Sequence, residues 1–149
     1  SKNKFNNNKI PEIKIDENTP HILADRDKFQ QIMTNLIENA CKYGDENSVI
    51  TIKSFYTEEN VSISVINQGL EISKDDFEKI FTKFSRIDNP LTRKVQGSGL
   101  GLYITKNLVE KMGGKISVKS ENHQTIFEVV LPCANIERQA KNAVSYSDN

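Results

Sequence analysis

The chain predicts an α/β fold, a two-layer sandwich with helices packed on one face of a mixed, largely antiparallel sheet. Three observations predict it. Two long segments carry apolar residues at helical spacing, while shorter runs alternate apolar and polar residues with the period of a strand. The clearest alternating runs come in pairs joined by a few polar residues, the pattern of antiparallel hairpins. The elements follow the order strand, strand, helix, hairpin, loop, helix, hairpin. A doubly wound sheet would instead alternate strands with helices.

The opening SKNKFNNNK, residues 1–9, is polar and repetitive and reads as a linker. PEIKIDENTPHILAD offers two short extended pieces, around Ile13–Ile15 and His21–Leu23, broken by turn residues. From Asp25, a suitable N-cap, the period changes: Phe29, Ile32, Met33, Leu36, Ile37 and Ala40 form one apolar stripe that ends near Gly44. VITIKSFY (49–56) and VSISVIN (61–67) make the first hairpin. A short amphipathic segment with Phe77, Ile80, Phe81 and Phe84 follows, and then a basic loop, SRIDNPLTRKVQGSG, without periodicity. LGLYITKNLVEKM reads as the second helix and stops at Gly113–Gly114, the residue type common just past a helix end. KISVKS and TIFEVVL form the second hairpin around ENHQ. After Pro132 the polar tail, residues 133–149, is open to two readings, a disordered end or a short docked helix.

At 149 residues the chain has the size of one domain able to bury a core. Its 20 basic and 20 acidic side chains cancel, which gives no reason to expect nucleic acid as a partner. Cys41 and Cys133 have no ligand-like spacing and are expected to stay reduced in a cytosolic setting. No apolar run is long enough to cross a bilayer, so if the chain belongs to a membrane protein this piece is expected to be its soluble part, without direct membrane contact.

Three features carry chemistry. On the first helix Asn35, Asn39 and Lys42 stand at i, i+4 and i+7, one polar stripe beside the apolar one. Asparagine is a mediocre helix former, so the stripe is either a solvated face or a carbonyl offered to a hard cation with a lysine nearby for phosphate. In GSGLGL, Gly97, Gly99 and Gly101 open the second helix. A helix N-terminus with glycines can cradle an anion, and the same glycines can make a hinge. The third feature is NQGLEI (67–72), an Asn-x-Gly after a strand, which is a plain turn or the wall of a pocket.

In their order and spacing, NLIENACKYG, NQGLEI, FEKIFTKF and GSGLGL closely resemble the asparagine box, first glycine box, phenylalanine box and second glycine box of sensor histidine kinases. The resemblance covers about Ile13 to Pro132. It implies the ATP-binding catalytic domain, whose Bergerat-type fold, with three helices on one face of a mixed sheet, is shared with gyrase, Hsp90 and MutL. It divides the chain into a linker (1–9) from an upstream dimerisation and phosphoacceptor domain, a catalytic domain (10–132) and a tail (133–149). By motif match it implies that Asn39 ligates Mg²⁺ and Asn35 supports it. Lys42 and Arg86 contact phosphate, and Tyr43 the phosphate or ribose side. Asn67, Gly69 and Ile72 form the adenine wall, and Gly97, Ser98, Gly99, Leu100, Gly101 and Leu102 the phosphate-binding helix start. Residues 85–98 become a mobile lid, with Phe81 and Phe84 either its anchors or ordinary core aromatics.

Asn35 discriminates among relatives. ATP-hydrolysing members hold a glutamate there as general base, and an amide cannot take a proton. Glu38 is about 100° away around the helix from Asn39. A neutral imidazole is nucleophilic without such a base, so Asn35 favours transfer of the γ-phosphoryl group to histidine. Neither His21 nor His123 has the helical His-Glu/Asp context of an acceptor. The resemblance places that histidine on helices preceding residue 1, with a response regulator as the next partner. Two alternatives are a degenerate module that acts by binding nucleotide or a partner, and a gyrase-type hydrolase. The family usually has aspartate at Asn67 and glycine at Glu71. The predicted consequences are a neutral, weaker adenine contact and, if residue 71 sits at positive φ, a backbone cost of about 1 kcal/mol.

Overall fold

The computed structural model describes residues 10–69, 71–84 and 100–134. β1 (Glu12–Lys14) leads through α1 (Arg26–Tyr43) to β2 (Thr51–Tyr56) and β3 (Asn60–Gln68). Two 3-10 turns, Lys74–Asp76 and Lys79–Phe81, precede α2 (Gly101–Lys111), β4 (Lys115–Glu121) and β5 (Gln124–Pro132). The five strands form one sheet in the order β1-β2-β3-β5-β4. Only β1–β2 is parallel, with α1 in the crossover between them; the other pairs are antiparallel.

The alternation in the sequence sets which face of the sheet is covered. In β3, Val61, Ile63, Val65 and Asn67 are buried; their partners Leu131, Val129, Phe127 and Thr125 in β5 are buried too. Against this face α1 lays Ile32, Leu36 and Ala40, one residue per turn, and α2 adds Thr105 and Val109. Each aliphatic or aromatic side chain so enclosed contributes about 1.5–3 kcal/mol. The predicted two-layer α/β sandwich is the fold observed.

The helix ends follow their sequence signals. Asp25 caps α1, its carboxylate accepting from the Lys28 N–H at 3.0 Å. At the end of α2 the Gly114 N–H reaches the Val109 carbonyl and the Gly113 N–H the Glu110 carbonyl, both at 3.0 Å, with Gly113 at φ 76°. That is a Schellman close, which needs a left-handed residue at this position.

Elsewhere the elements differ in extent. The predicted piece around Ile13–Ile15 is a strand at Glu12–Lys14, but His21–Leu23 contributes only the isolated bridge Ile22–Cys133. The amphipathic segment fills the third helical position with two 3-10 turns. Its two end aromatics separate: Phe81 is core, edge-on to Phe127 at 6.2 Å between ring centroids, whereas Phe84 is exposed at φ 60°. The tail begins as an extension of β5, the Ala134 N–H donating to the His21 carbonyl. The rest of the tail, the linker 1–9 and the basic loop with Arg86, Arg93, Lys94, Gly97, Ser98 and Gly99 lie outside the described residues.

Candidate nucleotide site

The polar stripe of α1 lies on the border between its buried face and solvent. Asn35, Asn39, Lys42 and Tyr43 are all half-buried. Asn35 is tied to the other helix: its Nδ2 donates to Thr105 Oγ1 at 3.2 Å. Asn39, Lys42 and Tyr43 have no side-chain hydrogen bond or ion pair among the described residues. These three side chains, unused among the described residues, are available to a ligand.

The end of β3 abuts the end of α1. Gly44 and Gly69 form an antiparallel bridge, and the Asp45 N–H donates to the Gln68 carbonyl at 2.7 Å. A Cβ on Gly69 would collide with the Tyr43 carbonyl oxygen and lie 2.9 Å from Gly44 Cα, so only glycine lets these backbones approach. Asn67, one pair further in, is 3 % exposed and stands opposite Thr125. No fully buried side-chain N or O atom among the described residues lacks a partner, so the Asn67 amide is not sealed unpaired in the core.

After the turn, the Ile72 N–H donates to Ser120 Oγ at 2.8 Å, and Ser120 Oγ lies 3.4 Å from Thr125 Oγ1. A short polar ladder on β4 and β5 thus backs the Asn67 wall. Glu71 does not adopt positive φ, so the anticipated backbone cost does not arise. Its carboxylate instead accepts from the His123 N–H at 2.6 Å, and His123 Nε2 lies 2.8 Å from Asp45 Oδ2. Asn122 and His123, at φ 52° and 61°, form the two-residue β4–β5 turn. The hairpin tip thereby touches Glu71 in the wall and Asp45 just past α1.

The start of α2 is built from Leu100 and Gly101. Leu100 holds the N-cap position with no side-chain cap, and among the described residues a Cβ on Gly101 would meet nothing within 4 Å. Packing among the described residues gives no reason for glycine there, and none of them offers a capping side chain to the first amides of the helix. Leu102 packs against the core edge. Among the described residues no group of three or more His, Cys, Asp or Glu side chains is placed to hold a metal.

Sequence reasoning did not find Thr105, Ser120, Thr125, Asp45 or His123. Only Thr125 carried a signal: the alternation of TIFEVVL puts it on the same face as Phe127 and Val129. The others depend on contacts between distant elements.

A family model for histidine kinase-, DNA gyrase B- and HSP90-like ATPases matches residues 24–135. Sensor histidine kinase YcbM of Bacillus subtilis (strain 168) is 37% identical over 120 residues, covering 80% of this chain and 39% of the relative. Full-length ShkA, solved in complex with AMPPNP, superposes with a TM-score of 0.71 at 28% identity, covering 86% of this chain and 26% of that one. Histidine kinase ThkA, solved in complex with the response regulator protein TrrA, gives 0.71 at 29%, covering 87% and 35%. The chain spans less than two fifths of each of these proteins. With the motifs on facing elements of the matching fold, the chain belongs to the family of histidine kinase-, DNA gyrase B- and HSP90-like ATPases.

Proposed function

We propose that residues 10–132 are the ATP-binding catalytic domain of a two-component sensor histidine kinase, which positions Mg-ATP for transfer of its γ-phosphoryl group to a histidine on a separate helical segment. The observation that carries this reading is the amide at Asn35. Its Nδ2 is engaged by Thr105 and it has no carboxylate with which to activate water. Positioning and charge neutralisation are most of what phosphoryl transfer asks of a protein, so the nucleophile can arrive from outside.

In this reading Asn39 offers its Oδ1 to Mg²⁺. The residues fit the ion: the amide has no partner among the described residues, and Mg²⁺ is content with one protein oxygen beside phosphate oxygens and water. When bound, the ion neutralises the phosphate oxygens. Lys42 and Arg86 add positive charge, with Tyr43 beside them. The amides from Gly97 through Ser98, Gly99, Leu100, Gly101 and Leu102 face the phosphates. Asn67, Gly69 and Ile72 enclose adenine, with Asn67 accepting from its amino group. Downstream, a response regulator receives the phosphoryl group; the ThkA–TrrA complex supports that partner class.

The test mixes the chain with a phosphoacceptor-helix fragment and γ-labelled ATP. Label on the acceptor histidine, dependent on Mg²⁺ and lost in Asn39→Ala, is the expected result. Rapid release of free phosphate by the chain alone would support a hydrolase instead, and no nucleotide binding at all would leave a partner-binding module.

A further inference from the structure

Thr105 is fully buried in the middle of α2, where a β-branched hydroxyl residue needs a reason. Its Oγ1 donates to the Gly101 carbonyl, one turn earlier, at 2.7 Å. The same oxygen lies 3.2 Å from Asn35 Nδ2. A hydroxyl has a single proton. With that proton on Gly101, only lone pairs face α1, so residue 35 must present an N–H. The choice between the two orientations of the Asn35 amide, ordinarily ambiguous, is decided by this chemistry. Nδ2 points to α2, and Oδ1 is the end left for anything bound beside Asn39, one turn on.

We propose that Thr105 is a positioning residue: it fixes the amide orientation of Asn35 and ties the first turn of α2, the expected phosphate cradle, to the expected metal stripe of α1. This deepens the nucleotide-site reading and rests on it. It also makes residue 35 selective. A carboxylate there would turn its lone pairs on those of Thr105 while the hydroxyl proton stays on the Gly101 carbonyl, so an amide and the hydroxyl come as a matched pair.

The experiment has two arms. In the first, the 149-residue chain is titrated with ATP with and without Mg²⁺. Thr105→Val, which keeps shape and removes the hydroxyl, is expected to weaken Mg-dependent binding about fivefold to tenfold, as loss of one hydrogen bond does. Metal-free binding should change by less than about twofold on the same scale. Thr105→Ser should restore the wild-type value. An equal loss with and without metal, or failure of Thr105→Ser to restore, overturns the positioning role. The second arm needs no nucleotide: urea midpoints of Thr105→Val, Asn35→Ala and the double variant. The double variant should shift the midpoint by clearly less than the sum of the single shifts, because both singles remove the same bond. Additive shifts overturn the inference. Thr105→Ala takes the place of Thr105→Val in both arms if the valine variant does not fold. A wild-type chain that binds no ATP would defeat the site reading in the first arm, while the second would still decide whether the hydroxyl sets the Asn35 amide.

Discussion

Asn67 isolates the cost of a single departure from the family pattern. It is 3 % exposed at the end of β3, opposite Thr125. An amide keeps a carbonyl acceptor for an adenine amino group but gives up the charge that strengthens such a bond. Asn67→Asp is therefore expected to tighten adenine-nucleotide binding by about 1 kcal/mol, roughly fivefold. The same change places a carboxylate where solvent barely reaches, so the nucleotide-free protein should lose stability. Titration calorimetry and a urea midpoint together check the opposed signs; weaker binding would mean that residue 67 does not face the base. The identity of Asn67 was legible in the sequence because its neighbours form a motif. The environment of Glu71 was not: its carboxylate serves the His123 N–H, 52 residues away. A departure that looked like a backbone cost is in fact a contact.

At the scale of elements, periodicity carried furthest where it had turns to repeat over. α1 runs for 18 residues and buries one apolar residue on successive turns, so its stripe, cap and end could all be read. The segment with Phe77, Ile80 and Phe81 offers little more than one turn of pattern, and it closes as two three-residue 3-10 turns. Likewise Ile22 makes a single bridge, because the turn residues around it leave no length for a ladder. The glycine pair after α2 was legible as a stop signal, though only Gly113 serves the turn itself, at φ 76°. Gly114 is required by packing: a Cβ there would collide with the Val130 carbonyl oxygen, lie 2.7 Å from Leu131 Cδ2 and 3.1 Å from Val109 Cγ1. Gly114→Ala should accordingly cost about 1–3 kcal/mol by overpacking. Gly113→Ala should cost about 1 kcal/mol through its left-handed backbone. Urea midpoints rank the two, and a Gly114→Ala variant as stable as wild type would show that β4 and β5 give way.

For the whole molecule, the strand order is what no local pattern reveals. Each hairpin was readable, but nothing in either says that β5 enters the sheet between β3 and β4. That insertion puts Thr125 opposite Asn67 and Ser120 behind Ile72, while the β1–α1–β2 crossover lays the α1 stripe along the same end of the sheet. The site is thus assembled from elements that meet only in the folded chain, and any ligand bound to it is bound to the fold alone. Linkage then requires nucleotide to stabilise the whole domain. At a concentration one hundred times the dissociation constant the gain is about 2.7 kcal/mol. For a domain of this size that should raise Tm by roughly 6–10 °C. Asn39 makes no side-chain hydrogen bond or ion pair among the described residues, so Asn39→Ala should melt no lower than wild type when nucleotide is absent. With Mg-ATP present, its Tm should stay where it was while the wild-type Tm rises. A differential scanning measurement on both chains, with and without Mg²⁺, separates this from general nucleotide stickiness. If the two proteins shift alike, the asparagine stripe is solvated surface and the metal must be held by other groups.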